Sequence, residues 1–213
     1  MAVSKAEQSR KLSDAERRRL ARSEQIGAEL ESQGYRKVDL TIGIVRANLL
    51  TFVIGIPVVA VAFALFMLVN GTDGFVIGAL GNPLLLVAML ALVVVHELIH
   101  GLTWSRFTPN GMADIEFGFM KEYLTPYCTC KAPLPKTGYI IGSLAPGVLL
   151  GIVPTIVAIA MGSVSLLFLG VIMTLSGGGD ALIVALLLRH KSTGAEQLIF
   201  DHPTQAGCIV FER

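Results

Sequence analysis

Charge is scarce in this chain. Only 15% of its 213 residues are Asp, Glu, Lys or Arg, and 53% are hydrophobic. A soluble domain usually carries about 25% charged residues, so the composition is that of an integral membrane protein. The formal net charge is +1, which leaves no basic surplus to attract nucleic acid. A cleavable signal peptide is also missing from the pattern. The first 47 residues are polar and charged, with no short apolar core before a small-residue cleavage site. The first apolar run is therefore expected to act as an uncleaved anchor.

Four apolar runs are present, at about 48–69, 83–105, 139–161 and 165–188. Each is long enough to cross a hydrocarbon layer of about 30 Å at about 1.5 Å per residue. Pro57, Pro146 and Pro154 can kink their helices, which neighbouring helices tolerate in a membrane. Gly162-Ser163 leaves so short a turn that the last two runs form a tight antiparallel hairpin.

Loop charge predicts the orientation. Residues 1–47 hold ten Lys/Arg, loop 70–82 none, loop 106–138 four, and the segment after 188 three. Positive residues stay on the cytoplasmic side, so both termini and loop 106–138 are expected there. Cys128, Cys130 and Cys208 fall in these cytoplasmic segments and are expected to be free thiols.

Ser13-Asp14-Ala15-Glu16 reads as a capping box opening a charged helix over 13–32. Its apolar stripe is weak, so a solvated helix near the membrane surface is expected, and Arg17-Arg18-Arg19 could face lipid headgroups. Gly34 ends the helix, and Tyr35 to Ile42 alternates as a short strand does. In loop 106–138, Ile115, Phe117 and Phe119 alternate with Glu116 and Gly118. After Lys121-Glu122, residues 123–131 are again rich in strand formers, which predicts a β-hairpin over 113–131. The fold class expected is an all-α polytopic membrane protein of four transmembrane helices, with a small cytoplasmic hairpin between spans two and three. A charged arm (1–47), a membrane domain (48–190) and a cytoplasmic tail (191–213) make up the sequence.

The chemistry concentrates at His96-Glu97-Leu98-Ile99-His100. No ionisable residue occurs from Pro83 to Val95, and then three arrive within five positions. A chance H-E-x-x-H in a sequence with four histidines is rare, on the order of 0.006 per sequence of this length. On a helix, residues i and i+4 share a face, so His96 and His100 can hold one metal ion between them. Glu97 stands beside them, placed to act as a base on water at that metal. Ionisable groups within a membrane segment are costly and point to function.

Catalytic zinc usually takes three protein ligands, so a third is needed. From Tyr139 to Leu188 the one acidic or basic residue is Asp180, after Ser176-Gly177-Gly178-Gly179. Helical rise places His96 and His100 about 15 and 9 Å from Arg106, and Asp180 about 13 Å from Arg189. The three can share one layer, and the glycines allow close helix approach beside it. His190 is expected to be solvated next to Arg189 and Lys191. His202 lies in a polar tail. Cys128 and Cys130 form a C-x-C pair suited to one strand face, and Asp114 and Glu116 are more distant alternatives.

These residues carry a resemblance. Gly34-Tyr35, Val38-Asp39-Leu40-Thr41, Asn48, His96 to Gly101, Thr125-Pro126-Tyr127-Cys128, Ala145-Pro146, Gly179-Asp180 and Asp201-His202-Pro203-Thr204 with Gly207 resemble a zincin membrane-peptidase family. That family was long known as a domain of unknown function. More distantly the sequence is similar to the site-2 protease class of intramembrane metalloproteases. The resemblance implies zinc at His96, His100 and an acidic residue on a later span, with Glu97 as catalytic base. The sequence departs from site-2 proteases in setting Asp180 in Gly-Gly-Gly-Asp rather than Leu-Asp-Gly.

The function expected is a zinc-dependent intramembrane endopeptidase acting on transmembrane protein substrates near the cytoplasmic face of the bilayer. The alternatives are a non-catalytic membrane protein that binds metal or a partner helix, and a metal-ion transporter. A transporter would show more polar groups along its spans. Glu97 separates the first two, because a structural metal site has no use for a carboxylate that is not a ligand.

Overall fold

The computed structural model describes residues 12–72, 84–120, 125–192 and 194–213. The hairpin turn at Lys121-Glu122, most of loop 70–82 and the first eleven residues lie outside them.

Helix α1 (Asp14–Ser32) opens on the expected capping box: the Ser13 hydroxyl accepts from the Glu16 N–H, and Glu16 reaches back to the Ser13 N–H. Two donors that a helix start leaves orphaned are thereby satisfied. α1 is not a freely solvated helix. Its Leu30 packs with Tyr35, Phe200, Ile209 and Phe211, and Gly27 lies against Phe211.

Strand β1 (Arg36–Ile42) follows, then three long apolar helical stretches. They are α2 (Ile44–Asn70), α3 (Leu84–Trp104), and a third stretch over Lys136–Met161. This third stretch consists of α4 (Lys136–Pro146), a π-helical turn (Gly147–Ile152) and α5 (Val153–Met161). The wide turn lies between Pro146 and Pro154, where a missing N–H breaks the ordinary ladder. After a turn at Gly162-Ser163, α6 (Val164–Ser176) and α7 (Gly178–Arg189) form a pair bent by 41°. Among the described residues, three helical stretches are long and apolar enough to cross a membrane, or four if the bent pair is one span. Large side chains such as Leu49, Phe52, Ile56, Leu86 and Leu90 are exposed on them.

Between α3 and α4 lie a 3-10 turn (Gly111–Asp114), then β2 (Ile115–Met120) and β3 (Thr125–Cys130), an antiparallel pair with Ile115 opposite Cys130. The expected hairpin is present.

The all-α expectation is incomplete. Strands β4 (Leu134–Pro135), β5 (Gln197–Asp201) and β6 (Ala206–Glu212) join β1 in a four-stranded antiparallel sheet, ordered β1-β6-β5-β4. The C-terminal strands bury Ile199, Phe200, Cys208, Ile209, Val210 and Phe211. Ile199, Cys208 and Val210 pack into one apolar cluster and Phe200, Ile209 and Phe211 into another, and this burial on both sides supplies the reason the terminal segment folds back onto β1. His190 is also not solvated: its Nε2 lies 3.0 Å from the buried Glu212 carboxylate, which accepts a 2.6 Å hydrogen bond from Ser192 and pairs with Arg36.

Candidate metal centre

The motif lies on α3, and the last two turns of that helix are the buried ones: His96, His100, Gly101 and Trp104. The i, i+4 spacing sets the two imidazoles side by side, with ring centroids 4.8 Å apart. Asp180 comes from the first turn of α7, immediately after the bend. A Cβ on Gly177 would sit 2.9 Å from the Gly147 backbone, so only glycine lets these two segments meet so closely. The bend also gives α7 its own N-terminus, where the helix dipole favours a carboxylate.

Three atoms converge. His100 Nε2 lies 3.2 Å from His96 Nε2, His96 Nε2 lies 3.3 Å from Asp180 Oδ2, and His100 Nε2 lies 3.5 Å from the same oxygen. A tetrahedral zinc with bonds of about 2.0–2.1 Å separates its ligand atoms by about 3.3–3.4 Å. The donor triangle therefore has the size of one face of such a tetrahedron. Among the described residues, these three form the group of His, Cys, Asp and Glu side chains able to hold a metal ion.

The second ring nitrogen of His100 fixes its tautomer. Nδ1 lies 2.8 Å from the Gly142 carbonyl on α4. A carbonyl accepts only, so Nδ1 carries the proton and Nε2 turns a lone pair to the centre. His100 also stacks on Trp104 at 4.9 Å and 17°, and Trp104 stacks on Tyr139 at 6.0 Å and 19°. The indole N–H donates to the Tyr139 carbonyl at 3.3 Å. Any side chain at Gly142 would overlap the Trp104 ring. His96 Nδ1 is buried without a hydrogen-bond partner among the described residues.

Glu97 faces the same cavity, of about 640 Å³, without joining the triangle. Cys128 of β3 lines the same cavity, so the hairpin borders this group.

Other residues arrive from segments whose polarity hid them. Asp201 accepts from the Tyr139 hydroxyl at 2.8 Å and from the Thr129 hydroxyl at 3.2 Å. Burial nevertheless pushes its carboxyl upward from the usual range. Arg19 of α1 lines the cavity too. His202 is on the cavity wall but outside the triangle, and its Nδ1 accepts from the Thr204 and Gln205 N–H groups at 3.3 and 3.0 Å, closing the β5–β6 turn. His190, Asp114 and Glu116 are engaged elsewhere: His190 with Glu212, Asp114 with Asn110, and Glu116 with Arg22. Cys128, Cys130 and Cys208 are free thiols packed in or against one apolar cluster. Burial pushes Cys130 and Cys208 up to about 12, and Cys128 upward as well.

Comparison with known proteins agrees in kind. A family model described as putative zincin peptidase matches residues 89–195, a stretch that contains His96, Glu97, His100 and Asp180. No curated protein and no solved structure matches the sequence.

Proposed function

Because the chain belongs to the family described as putative zincin peptidase, we propose that it is a zinc-dependent endopeptidase of membrane-protein substrates. The observation that carries this reading is the triangle of His96 Nε2, His100 Nε2 and Asp180 Oδ2, with edges of 3.2–3.5 Å, beside a carboxylate that is not part of it.

His96, His100 and Asp180 would hold the metal. Bound zinc supplies a Lewis acid and brings the pKa of water down towards about 7. The remaining chemistry belongs to the protein. Gly142 and Trp104 hold the His100 ring so that its lone pair stays aimed at the centre. Glu97 takes the proton of the attacking water on its carboxylate and passes it to the leaving amine.

Membrane spanning is supported by the length of the apolar helices and by the apolar side chains they leave exposed. Loop charge orients both termini and the hairpin to the cytoplasm. The motif helix then carries its metal triangle a few turns inside that face, where a locally unwound transmembrane segment could reach it. The β2–β3 pair offers strand edges to such an extended segment.

Glu97 argues against a purely structural metal site, which would close with a fourth protein ligand. Cleavage of candidate membrane substrates by wild type and Glu97→Gln, with zinc measured in both, tests the reading. Cleavage lost with zinc retained supports it; equal cleavage by the Gln variant overturns it.

A further inference from the structure

Among the described residues, a cation without a counter-ion stands on the wall of the candidate active-site cavity. Arg19 projects from α1 and shares the cavity with His96, Glu97, His100 and Asp180. Its guanidinium carbon lies 4.3 Å from the centroid of the Tyr127 ring on β3, so an aromatic face fixes the plane of the fork. Its Nε is buried and has no hydrogen-bond acceptor among the described residues. Among the described residues no carboxylate comes within ion-pair distance of it, whereas Arg17 pairs with Asp14 and Arg22 with Glu116.

Of the four acidic groups on the same wall, Glu97 makes no ion pair with Arg19 among the described residues, and the other three face other partners. Glu16 accepts from the Ser13 N–H and hydroxyl at 2.9 and 2.8 Å. Asp180 faces the two histidines, and Asp201 faces Tyr139 and Thr129. Nor is Arg19 a stray surface side chain. The Arg22–Glu116 pair at 2.9 Å and the packing of Gly27 on Phe211 pin α1 to the hairpin on one side and to the sheet on the other.

A partly buried guanidinium with an open donor is costly unless an anion meets it. Its planar fork matches a carboxylate, which it can bind with two parallel hydrogen bonds. A position on the wall of the cavity that holds the metal triangle makes the anion part of what enters the cavity, rather than a headgroup at the surface.

We propose that Arg19 is a specificity-determining residue that receives a carboxylate of the peptide substrate, from an acidic side group or from the substrate's own C-terminus. The inference rests on the cavity being the peptide site. The substrate would then lie between the metal triangle and α1, with its anionic group under the N-terminal helix.

Trp104 is the single tryptophan of the protein and lines this cavity, so its fluorescence reports occupancy. The full-length protein in detergent is titrated with three peptides: acetyl-Ala-Ala-Gln-Ala-Ala-amide, the same peptide with Glu for Gln, and the Gln peptide with a free C-terminal carboxylate. At least one carboxylate peptide should bind about tenfold more tightly than the neutral one; which one does identifies the source. Arg19→Gln should abolish that preference and Arg19→Lys should keep part of it. Equal binding of all three peptides, or a preference that survives Arg19→Gln, overturns the proposal. If Arg19→Gln does not fold, Arg19→Lys decides: a preference identical to wild type overturns it. Repeating the titration with EDTA separates the two readings. An Arg19-dependent preference without any zinc binding would sink the peptidase reading and leave this one standing. Zinc-dependent cleavage with no preference would do the reverse.

Discussion

His96 and Asp180 are 84 positions apart in sequence, and their side chains meet at 3.3 Å. Nothing local joins them. The contact exists because the backbone bends at Gly177, which begins α7 beside the motif helix and puts a carboxylate in its first turn.

The Gly142–Trp104 contact should be as sensitive as the ligands themselves. Gly142→Ala forces a methyl group into the indole ring, and overpacking of this kind costs about 1–3 kcal/mol. The same residue's carbonyl holds His100 Nδ1, so zinc affinity should fall about 10–100-fold, as for other residues that orient a ligand. Thermal unfolding and zinc titration of the variant check both.

The three cysteines should be inert. With Cys130 and Cys208 held up to about 12 by burial, and Cys128 pushed upward too, almost no thiolate is present at neutral pH. Native protein should resist iodoacetamide, and denatured protein should take up three equivalents at Cys128, Cys130 and Cys208. Mass spectrometry before and after denaturation counts them.

Stability should depend on acid through Glu212. The Ser192 hydroxyl, the Arg36 guanidinium and the His190 ring hold its carboxyl down at about 2. In the unfolded state, glutamate titrates at about 4.3. The folded state therefore binds fewer protons between these values. The stabilisation is complete above about pH 5 and is lost as pH falls towards about 2. Glu212→Gln should flatten that part of the unfolding-temperature profile; an unchanged slope would contradict the assignment.

Both ends of the protein should face the cytoplasm. Reporter fusions at residue 1 and residue 213 should give the same cytoplasmic signal, and a fusion in loop 70–82 the opposite one. Signals of opposite sign at the two termini would refute the topology.

The elements legible in the sequence are those with local signals. The apolar stretches, the Ser13–Glu16 capping box, the alternation in β2 and the i, i+4 histidines each declare themselves within a few residues. Asp180 could be found as well, because a lone carboxylate is conspicuous in fifty residues without another charge. The sheet was not legible. Its β1–β6 pairing joins Arg36 to Glu212, from opposite ends of the sequence, and β6 is a short apolar run inside a segment that otherwise reads as a polar tail. Arg19 and Asp201 were hidden for a related reason. In a polar segment a charged residue is the ordinary expectation, and only the fold shows that these two turn inward. The bend that separates α6 from α7 was indicated only as glycine-rich, because the approach of Gly177 to Gly147 is a tertiary fact.

In the proposed site, Asp180 completes the zinc ligands with His96 and His100. Zinc content of the purified protein, measured beside that of Asp180→Ala at matched folding, tests it most directly. The wild type should hold one zinc per protein molecule and the variant almost none. A wild type without zinc, or a variant with undiminished zinc, would contradict it.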